Sequence, residues 1–150
     1  MFSVEPKIQA QTYFSQGYLC SQSILMAYGP LFNLELDAAA RIAAPFGAGV
    51  ARRGETCGAV SGACMVLGLK YGHTSADDSD AKERTYRAVQ EFISQFQVNF
   101  GSIKCSQLLE LDISTPEMLE AARDRQLFTT LCPGYVFYAA ELLDKLFLDV

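Results

Sequence analysis

The sequence predicts an all-α fold, a compact bundle of about six or seven short helices with a Gly-rich loop ahead of the helix at Cys57. Three observations predict it. Apolar residues recur at three- and four-residue steps, most clearly Tyr86, Val89, Phe92, Ile93, Phe96 and Phe100, which reads as one helix face. No run sustains the period-two, β-branched alternation of a strand. Prolines and glycines fall where helices start and stop: Gly29-Pro30, Pro45, Thr115-Pro116 and Pro133.

The elements follow in order. Residues 4–15 read as the first helix and residues 21–28 as the second, ended by Gly29-Pro30. Residues 37–44 form a short Ala-rich helix stopped by Pro45. Residues 46–56 are irregular, and their three glycines permit conformations that other residues avoid. A Gly/Ala-rich helix starts at Cys57 and ends near Gly72, its expected C-cap, with His73 on the surface just beyond. The polar run 74–80 offers N-caps for the Tyr86–Phe100 helix, and Cys105-Ser-Gln opens another. Thr115-Pro116-Glu117 starts a helix through Arg125. Tyr135, Val136, Ala139, Leu142, Leu143 and Leu146 mark the last stripe, with Pro133 in its first turn.

At 150 residues and 50% hydrophobic composition, the chain has the size and apolar content for one domain with its own core, over residues 1–150. That composition excludes disorder. A formal charge of −5 with no basic stripe argues against a nucleic-acid partner. The start, Met1-Phe2-Ser3-Val4-Glu5-Pro6, has neither a basic segment nor an apolar run and reads as no secretory leader. The longest low-charge stretch, residues 56–69, is too short to span a bilayer. The expected location is cytoplasmic. Five cysteines there are free thiols or ligands rather than structural disulfides, and the odd number fits a paired framework poorly.

Four of the cysteines stand at expected helix starts: Cys20, Cys57, Cys105 and Cys132. A helix N-terminus favours thiolate over thiol through its partial positive charge and unpaired N–H groups. Each lies three or four residues before apolar positions of its own helix and so faces inward; helices packed with these ends together would gather the thiols. Cys57 opens Cys57-Gly-Ala-Val-Ser-Gly62, where Gly58 and Gly62 leave one side bare for a ligand or another backbone. Arg52 and Arg53 lie just upstream and are expected to lower its pKa. Cys57 is therefore the candidate attacking thiolate, with Cys20, Cys105 or Cys132 resolving, and Gly58, Arg52 and Arg53 as binding candidates. Cys64, two turns into the helix, reads as core packing. There is no Cys-x-x-Cys, Walker A or dinucleotide motif.

The motif Cys57-Gly-Ala-Val-Ser-Gly62, with Cys20 upstream and Cys105 and Cys132 downstream, resembles the C_GCAxxG_C_C family. This is a group of small bacterial and archaeal proteins regarded as redox-active, marked by four cysteines and a CGAxxG motif. Gly17-Tyr-Leu-Cys20-Ser-Gln, Phe46-Gly-Ala-Gly49, Gly68-Leu-Lys-Tyr-Gly72 and Phe100-Gly101 also match, so the resemblance covers nearly the whole chain. It implies that Cys20, Cys57, Cys105 and Cys132 are the family cysteines and that Cys64 is extra.

Three functions stay open at this level. The first is thiol–disulfide or related redox chemistry, which makes the chain an oxidoreductase acting on a redox partner or a small-molecule substrate. The second is a metal site, with Cys20, Cys57, Cys105 and Cys132 holding zinc or an iron–sulfur cluster. The third is a non-catalytic module for a transporter or other partner, with inert buried thiols. An apolar-rich chain of this size is also compatible with a homodimer, although no residue marks an interface.

Overall fold

The computed structural model describes residues 4–148. Residues 1–3, part of the start on which the leader reading rests, lie outside the described residues. The described chain is all-α, with helices α1 Pro6–Ser15, α2 Cys20–Tyr28, α3 Leu36–Ala43, α4 Gly58–Tyr71, α5 Ser79–Phe100, α6 Cys105–Leu109, α7 Pro116–Asp124 and α8 Cys132–Leu148. Single turns at Gly29–Phe32, Ala44–Phe46, Gly47–Val50 and Leu127–Thr130 connect them. Eight helices of five or more residues exceed the expected six or seven. Short α6, the helix that Cys105-Ser-Gln opens, ends after five residues because Glu110, at φ 54°, leaves the right-handed region.

Side-chain caps form where the sequence offers them. Asp78 Oδ1 accepts the Ala81 N–H at 3.1 Å at the head of α5, and Thr115 Oγ1 accepts the Met118 N–H at 3.2 Å at the head of α7. Gly72 does cap α4, but in an extended conformation (φ −61°, ψ 144°), and His73 is exposed. The stripe on α5 holds only in part. Phe92 and Phe96 are fully buried, whereas Tyr86 is exposed and carries Lys82 over its ring at 5.7 Å. At 100° per residue Tyr86 lies about 120° around the helix from Phe92, too far to share its buried side.

Helix α2 is central and packs against α1, α3, α4 and α8. Its buried face, Ile24, Leu25, Ala27 and Tyr28, meets Ala59, Val60, Ala63, Val66 and Leu67 of α4 and Val136, Ala139, Ala140 and Leu143 of α8 in one core cluster. Polar ties fix α2 in place. Ser21 Oγ, fully buried, donates to the Ala43 carbonyl at 2.8 Å. Gln22 Nε2 donates to the Ala40 carbonyl at 3.0 Å while its Oε1 accepts the Leu19 N–H at 3.1 Å. At the far end, the Tyr28 hydroxyl reaches Asp144 Oδ1 at 2.7 Å, locking α2 to α8. Among the described residues no helix is long and apolar enough to cross a membrane.

Candidate functional site

The glycines of the Cys57 motif set how closely α4 approaches α2. A Cβ on Gly58 would lie 3.0 Å from the Ser21 nitrogen and 3.2 Å from the Cys20 Cβ; one on Gly62 would lie 2.9 Å from the Ser21 carbonyl oxygen. Backbone, rather than a ligand, fills the bare side of α4 at these positions. The two helices cross at contact distance, and their starts carry Cys57 and Cys20 to the same place.

The Gly-rich loop has a different job. Ala48, Gly49, Val50, Ala51 and Arg52 all have positive φ, between 51° and 69°, and together form one left-handed turn. Left-handed geometry costs a non-glycine residue roughly 1–2 kcal/mol, so its surroundings must impose it. Those surroundings are the paired segments that follow. The Cys57 N–H donates to the Ile103 carbonyl at 2.7 Å, Cys105 N–H to Glu55 at 2.6 Å, and Ser106 N–H to Gly54 at 3.1 Å. This short antiparallel bridge between Thr56 and Lys104 holds Cys57 beside Cys105. Gly49 presses against Cys105, where an added Cβ would come within 2.6 Å of the cysteine Cβ.

Cys57 caps α4, and Cys20, Cys105 and Cys132 are the first residues of α2, α6 and α8. All five cysteines are free thiols, and the four at helix starts line one cavity of about 310 Å³. Cys57, Cys105 and Cys132 are buried and Cys20 half-buried. Cys64 lies apart, in a second hollow with Met65 and Ile93, where burial pushes its thiol up to about 11.

The four thiols are not equivalent. Cys20 and Cys132 act on each other across the cavity: the neighbouring Cys20 thiol pulls Cys132 below its ordinary value against the opposing effect of burial. The Cys132 neighbour, followed by burial, holds Cys20 well above its ordinary value. Burial pushes Cys57 up to about 12, although the Ala59 and Val60 N–H groups at the helix start pull the other way. Cys105 rises to about 12, from burial and then from its Cys57 and Cys132 neighbours. The expected low pKa of Cys57 is thus corrected: desolvation outweighs the helix N-terminus, and neither Arg52 nor Arg53 is among the groups that act on it.

Arg52 lines the cavity from its exposed rim, whereas Arg53 is exposed and does not reach it. The rim also holds Arg123, near the end of α7, with Phe128 and Thr129 from the following turn. Arg123 was not singled out from the sequence. Tyr135, one turn beyond Cys132, forms part of the wall and donates its hydroxyl to the Leu108 carbonyl at 2.9 Å. Its helical spacing from Cys132 was a usable signal.

The C_GCAxxG_C_C family, whose description reads Putative redox-active protein, matches residues 18–146, a span holding all four cavity cysteines. The chain belongs to this family. No curated protein and no solved structure matches it. The motif that marks the C_GCAxxG_C_C match is therefore also the α2–α4 crossing described above. The arrangement does not fit the four-cysteine metal set. Among the described residues no three His, Cys, Asp or Glu side chains are grouped to hold one metal ion, although four thiols share the cavity.

Proposed function

We propose that the protein carries out thiol–disulfide exchange in this cavity, as an oxidoreductase of a reducing, cytoplasmic compartment. The observation that carries the reading is the gathering of four free thiols, Cys20, Cys57, Cys105 and Cys132, in the wall of one cavity. Cys132 is the attacking thiolate in place of Cys57. It sits at the start of the 17-residue helix α8, where unpaired N–H groups favour an anion.

The Cys132 thiolate attacks one sulfur of a substrate disulfide R–S–S–R. A Cys132–S–S–R bond forms, and the other half leaves as R–S⁻. Cys20 then attacks the Cys132 sulfur, forms Cys20–S–S–Cys132 and releases the second R–S⁻. The Cys20 proton and the one that Cys132 released on ionising end on the two R–SH products. The substrate gains two electrons and the cysteine pair loses two. A dithiol redox partner reverses the same exchange and resets the pair. Cys57 and Cys105, held as thiols, are the next dithiol within the cavity and can accept the disulfide from Cys20–Cys132.

The test is oxidation of anaerobically purified protein by one equivalent of a small disulfide, with peptide mapping of the product. A Cys20–Cys132 disulfide as the first product is expected, together with a Cys132→Ser variant that loses the fast-reacting thiol. Stoichiometric zinc or iron in the purified protein, or a first disulfide that leaves out Cys132, overturns the reading.

A further inference from the structure

The cavity's charge is one-sided. The chain carries −5 overall, yet among the described residues the only charged ones lining the cavity are Arg52 and Arg123, with no Asp or Glu beside them. Among the described residues neither arginine is ion-paired, and the one salt bridge joins Lys7 and Glu141 elsewhere. The rest of the wall is apolar or thiol, including Leu108, Leu119 and Phe128, apart from the uncharged hydroxyl groups of Tyr18, Thr129 and Tyr135. Two unpaired cations at the rim of a low-dielectric hollow concentrate anions there.

Their positions are built rather than incidental. Arg52, at φ 69°, ends the left-handed turn, and hydrogen bonds hold that turn: Arg53 N–H to the Val50 carbonyl at 3.0 Å and Glu55 N–H to Gly49 at 2.8 Å. A non-glycine residue stays in this region only when its surroundings over-determine it. Arg123 comes from α7, on a separate part of the chain, and meets the same rim.

We propose that the cavity selects a small disulfide bearing a carboxylate, with Arg52 and Arg123 holding the anion at the rim while the disulfide reaches Cys132 inside. The volume, about 310 Å³, is at the small end of ligand sites and limits the substrate to a low-mass molecule. This rests on the exchange reading above and adds the substrate's charge. The exchange itself is unchanged: Cys132–S⁻ attacks the disulfide, and a carboxylate-bearing thiolate leaves.

Three disulfides of similar size separate the ideas: 3,3′-dithiodipropionate (anionic), bis(2-hydroxyethyl) disulfide (neutral) and cystamine (cationic). The rate of each with the reduced full-length protein is divided by its rate with a neutral reference thiol, which removes intrinsic reactivity. At low ionic strength the anion is expected to lead the neutral compound by about tenfold and the cation to trail it. Salt at about 0.5 M compresses the spread in the unaltered protein. Arg52→Gln combined with Arg123→Gln brings the anion-to-neutral ratio close to one, with the circular dichroism spectrum checked for folding. Equal normalised rates for the three disulfides, or a preference that survives both salt and the double variant, overturn the inference. If the neutral disulfide still reacts at Cys132 in that case, the exchange reading stands. If none of the three reacts at a cavity cysteine, the exchange reading itself fails.

Discussion

Gly62 and Gly68 sit on the same helix, and alanine at the two positions should act with opposite sign. Both are interior to α4, so glycine to alanine gains about 1 kcal/mol of helix propensity at each. At Gly68 an added Cβ meets nothing within 4 Å. Gly68→Ala is expected to stabilise the protein by up to about 1 kcal/mol. At Gly62 the Cβ would stand 2.9 Å from the Ser21 carbonyl oxygen and 3.1 Å from the Ile24 Cβ. The first of these is backbone in the middle of the core and cannot rotate away. Overpacking of this kind costs about 1–3 kcal/mol. Because propensity cancels between the two variants, their difference isolates the α2–α4 crossing and should be about 1–3 kcal/mol. Urea unfolding followed by circular dichroism measures it, with Gly68→Ala as the internal control. Gly62→Ala should also slow the reaction of Cys132, since pushing α2 outward moves Cys20 away from it. Equal stability of the two alanine variants would refute the close crossing and, with it, the structural account of the motif.

Two more outcomes follow. Gly49→Ala should cost about 2–4 kcal/mol, adding a left-handed penalty at φ 66° to a clash with Cys105 and the Glu55 nitrogen; thermal unfolding would show it, and an unshifted midpoint would contradict the packing of that turn. Cys57 and Cys105 have folded-state values raised to about 12, so their contribution is fully present below the ordinary thiol value of about 8.5 and is lost as pH rises through about 12. Stability should therefore fall between about pH 9 and 12, with a smaller slope in Cys57→Ala; identical slopes would mean that burial does not hold Cys57 as a thiol.

The helices were legible because their signals are local. Spacing of three and four residues, Thr115-Pro116, and Gly29-Pro30 all act within a turn or two, and the structure places helices there. The cysteines at helix starts were legible for the same reason. The exception on α5, exposed Tyr86, shows the limit: a three- and four-residue pattern continued over many turns drifts around the cylinder, and only the neighbouring helices decide where the buried side ends. The bridge between residues 54–57 and 103–106 left no trace because one rung of pairing needs no alternation.

The sequence by itself determined the all-α class, the helix starts that carry Cys20, Cys57, Cys105 and Cys132, the unusual glycines of the motif and the family. It could not rank the thiols, because proton affinity depends on burial and on groups far apart in the chain. Cys57 had the strongest local case for a thiolate, yet the core around it pushes its pKa the other way, while Cys132 gains its advantage from Cys20, more than a hundred residues away in the chain. Arg123 joins the rim only because α7 folds back over the cavity. Desolvation and charge are set by distance in space, and the tertiary structure alone supplies those distances.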